Sequence, residues 1–179
     1  MAEGVFLLAF ITAQRLAELV LAQRNAARLF AAGGVEFGRS HYPWMIALHA
    51  AWLAGLWIFG RDRSIDPFVL AVFILLQIGR LWVLLTLGRR WTTRVIVVPG
   101  ERLVARGPYR WLKHPNYVVV VLEIAVVPLA VGLPWFAAVF TALSAFILYR
   151  RIRVENAALA WAAATGGQRQ TLANAGRSL

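Results

Sequence analysis

The chain has 179 residues, 60% of them hydrophobic and 15% charged, where an ordinary soluble domain is about a quarter charged. With a mean hydropathy of +0.65, this excludes a soluble globular protein and predicts an integral membrane protein the size of one domain. The net charge of +11 does not point to nucleic acid, because the arginines cluster between apolar segments, as they do in loops facing anionic lipid.

Residues 5–21 predict the first membrane helix. No cationic lead or small-residue cleavage site precedes Arg24, so the segment reads as part of the mature fold rather than a signal peptide. Gln14, Arg15 and Glu18 lie near its middle, and the i, i+3 spacing puts Arg15 and Glu18 on one face. Ionisable groups at membrane depth point into the bundle, so that face is an interior one carrying a neutralised structural pair. Arg24, Arg28 and Arg39 then mark a basic loop, with Gly33 and Gly34 as a flexible break and Glu36 as its acid.

Residues 42–60 form an uncharged second segment with Pro43 at its start and His49 inside, just long enough to cross a hydrocarbon core of about 30 Å. A lone histidine there reads as a hydrogen-bonded structural residue. Arg61, Asp62, Arg63 and Asp66 make a charge-balanced turn, and Pro67 opens a third helix running to Gly88, interrupted by Gln77 and Arg80. Arg80 is a second buried cation, with Glu18 as its expected partner.

The next connection, carrying Arg89, Arg90, Arg94, Arg102, Arg106, Arg110 and Lys113, is the most basic in the chain. Within it, residues 93–98 predict an extended stretch or small hairpin against the membrane face. The Pro99-Gly100 and Gly107-Pro108 steps predict turns. Lysine and arginine enrichment after helices one and three and after Tyr149 places those regions in the cytoplasm and the N-terminus outside.

Residues 115–149 carry a single charge, Glu123, yet a straight helix of that length overshoots a bilayer. Pro128 and the Val131-Gly132-Leu133-Pro134 run predict a hairpin of two helices of roughly 17 residues, the short end of the spanning range. The hairpin returns Arg150 to the side of His114. A further helix from Arg150 is expected to end at Gly166 and Gly167, with a loosely ordered polar end beyond. The fold expected is all-α and membrane-integral, with five transmembrane helices, the last two a hairpin, and a cytoplasmic C-terminal helix closing a pocket.

With no cysteine, disulfides, thiolate metal ligands and a cysteine nucleophile are excluded, and no metal site is expected. Tyr109, Arg110, His114, Asn116, Tyr117, Arg151, Arg153, Glu155 and Asn156 gather at the expected membrane surface. They suit a reaction between a charged soluble cosubstrate and a lipophilic acceptor. Taken on composition alone, they suit equally well arginines on lipid headgroups, an interfacial aromatic belt, and His114 capping the helix that Pro115 starts.

Gly107-Pro108-Tyr109-Arg110, then Lys113-His114-Pro115-Asn116-Tyr117, a hairpin, and Arg151-Ile152-Arg153-Val154-Glu155-Asn156 with Leu159 resemble the C-terminal half of the isoprenylcysteine carboxyl methyltransferase family and its phospholipid-methylating relatives. The similarity covers residues 98–161. It implies S-adenosylmethionine as methyl donor, leaving as S-adenosylhomocysteine, in a cytoplasmic pocket that Tyr109, His114, Pro115, Asn116, Tyr117, Glu155 and Asn156 hold. The acceptor would enter from the bilayer. It also divides the single domain 1–179 into a three-helix frame, 1–90, and a cofactor-binding connection, hairpin and C-terminal helix, 91–165.

A sulfonium donor carries an activated methyl, so catalysis asks mainly for in-line positioning and exclusion of water. A carboxylate acceptor needs no base, and Arg110 or Arg151 would orient it through a bidentate contact. A phenol or enol would make His114 or Glu155 a candidate base, so Arg110, Arg151 and Glu155 are the expected catalytic residues. The sequence departs from the family pattern at Lys113, where arginine is usual, at Asn156, where a second acid is usual, and at Gly166–Gln170, where an aromatic motif is usual. The short chain resembles prokaryotic members, which implies the inner membrane and extends the acceptor class from prenylcysteine-like lipids to alkylpyrones and alkylresorcinols. Beyond the acceptor, membrane lipids are the expected partners. Two other readings stand behind this one: an NADPH-dependent sterol or enone reductase, which carries a similar C-terminal region on a larger frame, and a non-catalytic membrane module.

Overall fold

The computed structural model describes residues 2–101 and 103–175, with side chains for 3–101 and 103–165. Arg102 and the end of the chain beyond Ala175, both read above, lie outside the described residues. Helix α1 spans Ala2–Ala31, well past the expected end at residue 21. Its last turns are alanine-rich and present Ala22, Ala26 and Leu29 as a buried stripe at i, i+4, i+7. Arg24 and Arg28 are therefore helical, not loop, residues. Within the same turns the buried Asn25 amide donates to the carbonyls of Gly88 at 3.1 Å and Trp91 at 2.8 Å, tying α1 to the end of the third helix.

Helices α2 (Tyr42–Phe59) and α3 (Pro67–Leu87) keep their expected bounds to within a residue. Asp66 caps α3 by accepting from the amides of Phe68 and Val69, with Pro67 at the first helical position. Helices α4 (Pro115–Ala130) and α5 (Pro134–Ala175) form the expected hairpin. Its turn is at Gly132, whose φ of +67° favours glycine. Pro128 stays inside α4 and does not break it. Proline lacks the N–H that would have bonded the Ile124 carbonyl, and the Trp52 indole N–H donates to that carbonyl instead at 3.2 Å.

The C-terminal helix is not a separate element. Helix α5 runs unbroken for 42 residues, about 63 Å at ~1.5 Å per residue, and Gly166 and Gly167 do not end it. No proline or glycine interrupts 135–165, so the arginines from Arg150 onward mark where the helix leaves its apolar part. Among the described residues, four helices are long and apolar enough to cross a membrane, and α4, at 16 residues, is a shorter apolar fifth.

Two features fix the bundle. At one end Leu8, Ile11, Trp52, Leu56, Phe73, Ile124, Val127 and Phe136 make a core drawn from all five helices. Toward the other lies a four-charge network. Arg15 bonds Glu18 at 2.9 Å and Glu123 at 2.6 Å; Arg80 bonds Glu18 at 2.9 Å and both oxygens of Glu123; Gln77 donates to Glu123 at 2.9 Å. The expected Arg15–Glu18 and Arg80–Glu18 contacts are thus present. Glu123, the lone charge on the hairpin, joins the two arginines and makes the cluster neutral.

The 93–98 stretch does form a strand, β2 (Val95–Val97), but not a local hairpin. It pairs antiparallel with β1 (Val35–Phe37) from the first connection, in the register Val35↔Val97 and Phe37↔Val95. The sheet packs on Ala158, Leu159 and Ala162 of α5. Both basic connections and the charged half of α5 therefore meet at one end of the bundle.

Candidate functional site

Pro115 occupies the first helical position of α4, with His114 as its N-cap, so His114 and Tyr117, three apart, share a face. Their rings stack at 5.4 Å. On the antiparallel α5, Arg151, Glu155 and Leu159 recur at i, i+4, i+8 and make one stripe opposite that first turn. The Tyr117 hydroxyl donates to Glu155 Oε2 and accepts from Arg151 Nε at 2.8 Å. Arg151 Nη2 donates to the Thr93 carbonyl at 2.6 Å, tying the pair to the strand connection.

His114 faces an acceptor at each ring nitrogen. Its Nε2 donates to Asn156 Oδ1 at 3.2 Å, and Nδ1 lies 3.7 Å from Glu155 Oε1. The Glu155 carboxylate raises the His114 pKa above its ordinary value. The imidazolium that results adds stability fully present below about pH 6.5 and lost as pH climbs through the raised value. In NMR titration of histidine-labelled protein, the His114 ring is expected to titrate above 6.5, and Glu155→Gln should bring it down toward that value. An unmoved midpoint would break the assigned contact. Tyr109, in the 3-10 turn Gly107–Arg110, is held well above the ordinary phenol range by burial and stays a neutral hydroxyl.

These residues line a cavity of about 140 Å³, walled by Trp91, Val95, Val97, Tyr109, Asn116 and Glu155. It adjoins a cleft of about 500 Å³ that shares Arg90, Val97, Tyr109, His114, Glu155 and Leu159 and adds Lys113 and Asn156. On the other side is a third cavity, of about 290 Å³, between α1 and α2. Its rim residues Leu16, Leu19 and Ile46 are exposed on helices long enough to span a membrane. Trp91, Thr92, Asn116, Tyr117 and Arg151 line both this cavity and the polar one, so they form the wall between them. In that wall the Trp91 indole N–H donates to Asn116 Oδ1 at 3.3 Å. An indole N–H only donates, so the amide oxygen of Asn116 faces Trp91 and its N–H₂ is left for the cavities.

The structure thus brings Tyr109, His114, Asn116, Tyr117, Arg151, Glu155 and Asn156 together around the polar cavity and its cleft. Pro115 is buried and sets the helix start. Arg110 is exposed and lines neither cavity nor cleft. Sequence reasoning gave Trp91 and Thr92 no role in the site and read Thr93 only as the start of the extended stretch. The signal for them was an aromatic and two hydroxyls directly after the Arg89-Arg90 helix end.

A model of the isoprenylcysteine carboxyl methyltransferase (ICMT) family matches residues 69–161, just over half of the chain. An uncharacterized Bacillus subtilis protein, YpbQ, is 39% identical over 158 residues, 86% of this chain and 94% of its own length. An uncharacterized Haemophilus influenzae protein is 24% identical over 162 residues, 84% of this chain and 91% of its own. No solved structure matches the chain.

Proposed function

The chain belongs to the ICMT family, and from that membership we propose that it is an integral membrane methyltransferase using S-adenosylmethionine to methylate an oxygen of a lipophilic acceptor drawn from the bilayer. One observation carries the reading. A polar cavity and an apolar, lipid-side cavity share a single wall of Trp91, Thr92, Asn116, Tyr117 and Arg151, the arrangement that transfer from a charged donor to a greasy acceptor requires.

The residues present fit the donor. The Glu155 carboxylate and the rings of Tyr109 and Trp91, all lining the cavity, would hold its sulfonium and ammonium. The amides of Asn116 and Asn156 and the apolar side chains of Val97 and Leu159 would suit an adenine, and Lys113 would suit a carboxylate. When bound, this group supplies an activated methyl. The chain's own task is then orientation and dryness. Glu155 and Arg151 hold Tyr117 between them, fixing the wall. Trp91 holds Asn116 so that its amide N–H₂ reaches toward either cavity. Arg151 is a positioning residue here, because its nitrogens are engaged by Tyr117, Thr93 and the Met45 sulfur. Arg110, exposed and outside the cavities, is assigned no contact with substrate. The acceptor class includes prenylcysteine-like and alkylpyrone or alkylresorcinol lipids. By the positive-inside rule the arginine-rich connections, and the polar cavity with them, would face the cytoplasm, and the resemblance to prokaryotic members implies the inner membrane.

Thermal stabilisation of the detergent-solubilised protein tests the donor. S-adenosylhomocysteine is expected to raise the unfolding temperature and NADPH to leave it unchanged. Stabilisation by NADPH alone would favour a reductase, and labelled methyl entering a lipid extract separates an enzyme from a non-catalytic module.

A further inference from the structure

His49 lies in α2 one turn beyond Met45, and its Nδ1 is 2.8 Å from the Met45 carbonyl oxygen. A carbonyl only accepts, so Nδ1 carries the proton, and in a neutral ring Nε2 keeps a bare lone pair. The ring lines the lipid-side cavity beside Arg15, Glu18 and Arg80. Those arginines are already balanced by Glu18 and Glu123. A third cation on this wall would be uncompensated, which keeps the ring neutral. The nearby hydroxyls are engaged, while Arg15 Nε is a buried donor left without a hydrogen-bond partner. The Thr12 hydroxyl donates to the Leu8 carbonyl and accepts from Trp57, and the Tyr42 hydroxyl meets Thr93. Among the described residues, nothing donates to His49 Nε2.

We propose that His49 Nε2 is a hydroxyl-recognition site, so that the lipid-side cavity takes a lipophile bearing a neutral O–H. A carboxylate has no proton to give it, an ether or ester has none either, and an ammonium would bring the uncompensated cation. The position suits an acceptor. Met45 touches Arg151 of the shared wall at 3.5 Å, and His49 is four residues farther along α2, about 6 Å of helical rise. The proposal rests on the methyl-transfer reading only in calling this ligand the acceptor.

The test is binding without any methyl donor. Full-length protein in lipid nanodiscs is titrated with meta-pentadecylphenol, its methyl ether and hexadecanoate, following thermal stabilisation against concentration. The phenol is expected to bind about tenfold or more tighter than the ether or the carboxylate, the cost of leaving a buried acceptor unpaired. His49→Leu should erase that gap by weakening the phenol, and His49→Gln, whose amide oxygen accepts, should keep part of it. Equal binding of phenol and ether to the wild type, or a gap that survives in His49→Leu, overturns the proposal. S-adenosylhomocysteine binding on the same samples reports separately: its absence would sink the methyl-transfer reading and leave the hydroxyl site standing.

Discussion

Replacing Glu155 by alanine is expected to weaken S-adenosylhomocysteine binding by about thirtyfold or more, the ~2 kcal/mol or above that follows truncation of a hydrogen-bonded charge partner. The carboxylate bears on three groups at once. It accepts from Tyr117, faces His114, and is the acid on the polar cavity to which a cationic ligand would turn. Removing it deprives the Tyr117 hydroxyl of its acceptor and leaves the Arg151 guanidinium to repel the ammonium that donor and product share. Glu155→Gln separates the two causes, since its amide oxygen still accepts from Tyr117 while the charge is gone. An intermediate loss would assign most of the affinity to geometry, and a loss equal to that of alanine would assign it to charge. His114→Ala, which removes a ring but no anion, should cost about tenfold. Isothermal titration on the solubilised protein reads all three. Unchanged affinity in both alanine variants, with unfolding temperatures intact, would move the donor out of this cavity.

The elements that could be read from the sequence were those set by hydrophobic length and by proline. Pro67 and Pro115 open helices where expected, and the Gly132 turn follows from the need to fold a nearly uncharged stretch back. The residues around His114 and Glu155 were legible because both sit next to such signals and the hairpin must return one to the other. What was not legible depended on packing. The continuation of α1 through Ala22, Ala26 and Leu29 has no apolar run to announce it; its small side chains matter only because Trp91 and the sheet lie against them. Likewise, nothing near Val35 or Val95 indicates that two short strands sixty positions apart would pair. Glu123 read as an isolated acid for the same reason, since its partners come from α1 and α3. Helix α5 illustrates the opposite error, in which a change from apolar to basic residues at Arg150 suggested two helices where charge changes only the solvent and not the backbone.

The second large effect concerns that acid. Arg80→Ala is expected to destabilise the bundle by about 3 kcal/mol or more, the cost of breaking a buried pair and leaving the partner charged. The side chains of Arg80 and Glu123 are 4% and 1% exposed, and the loss leaves two carboxylates facing Arg15 alone. Arg80→Lys should recover little, because one ammonium cannot reproduce a fork that meets Glu18 and both oxygens of Glu123. The informative variant is the double one. Arg80→Met with Glu123→Met removes one charge of each sign and leaves the Arg15–Glu18 pair neutral, so its destabilisation should be smaller than that of Arg80→Met alone. Reversible unfolding in mixed micelles measures the series. If the double variant instead loses the sum of the two singles, the four groups do not act as a unit. Because Glu123 lies on the same helix as His114 and Tyr117, the network also sets where the first turn of α4 stands against α5. S-adenosylhomocysteine affinity should therefore fall in Arg80→Ala and return in the double variant, although neither residue lines the polar cavity.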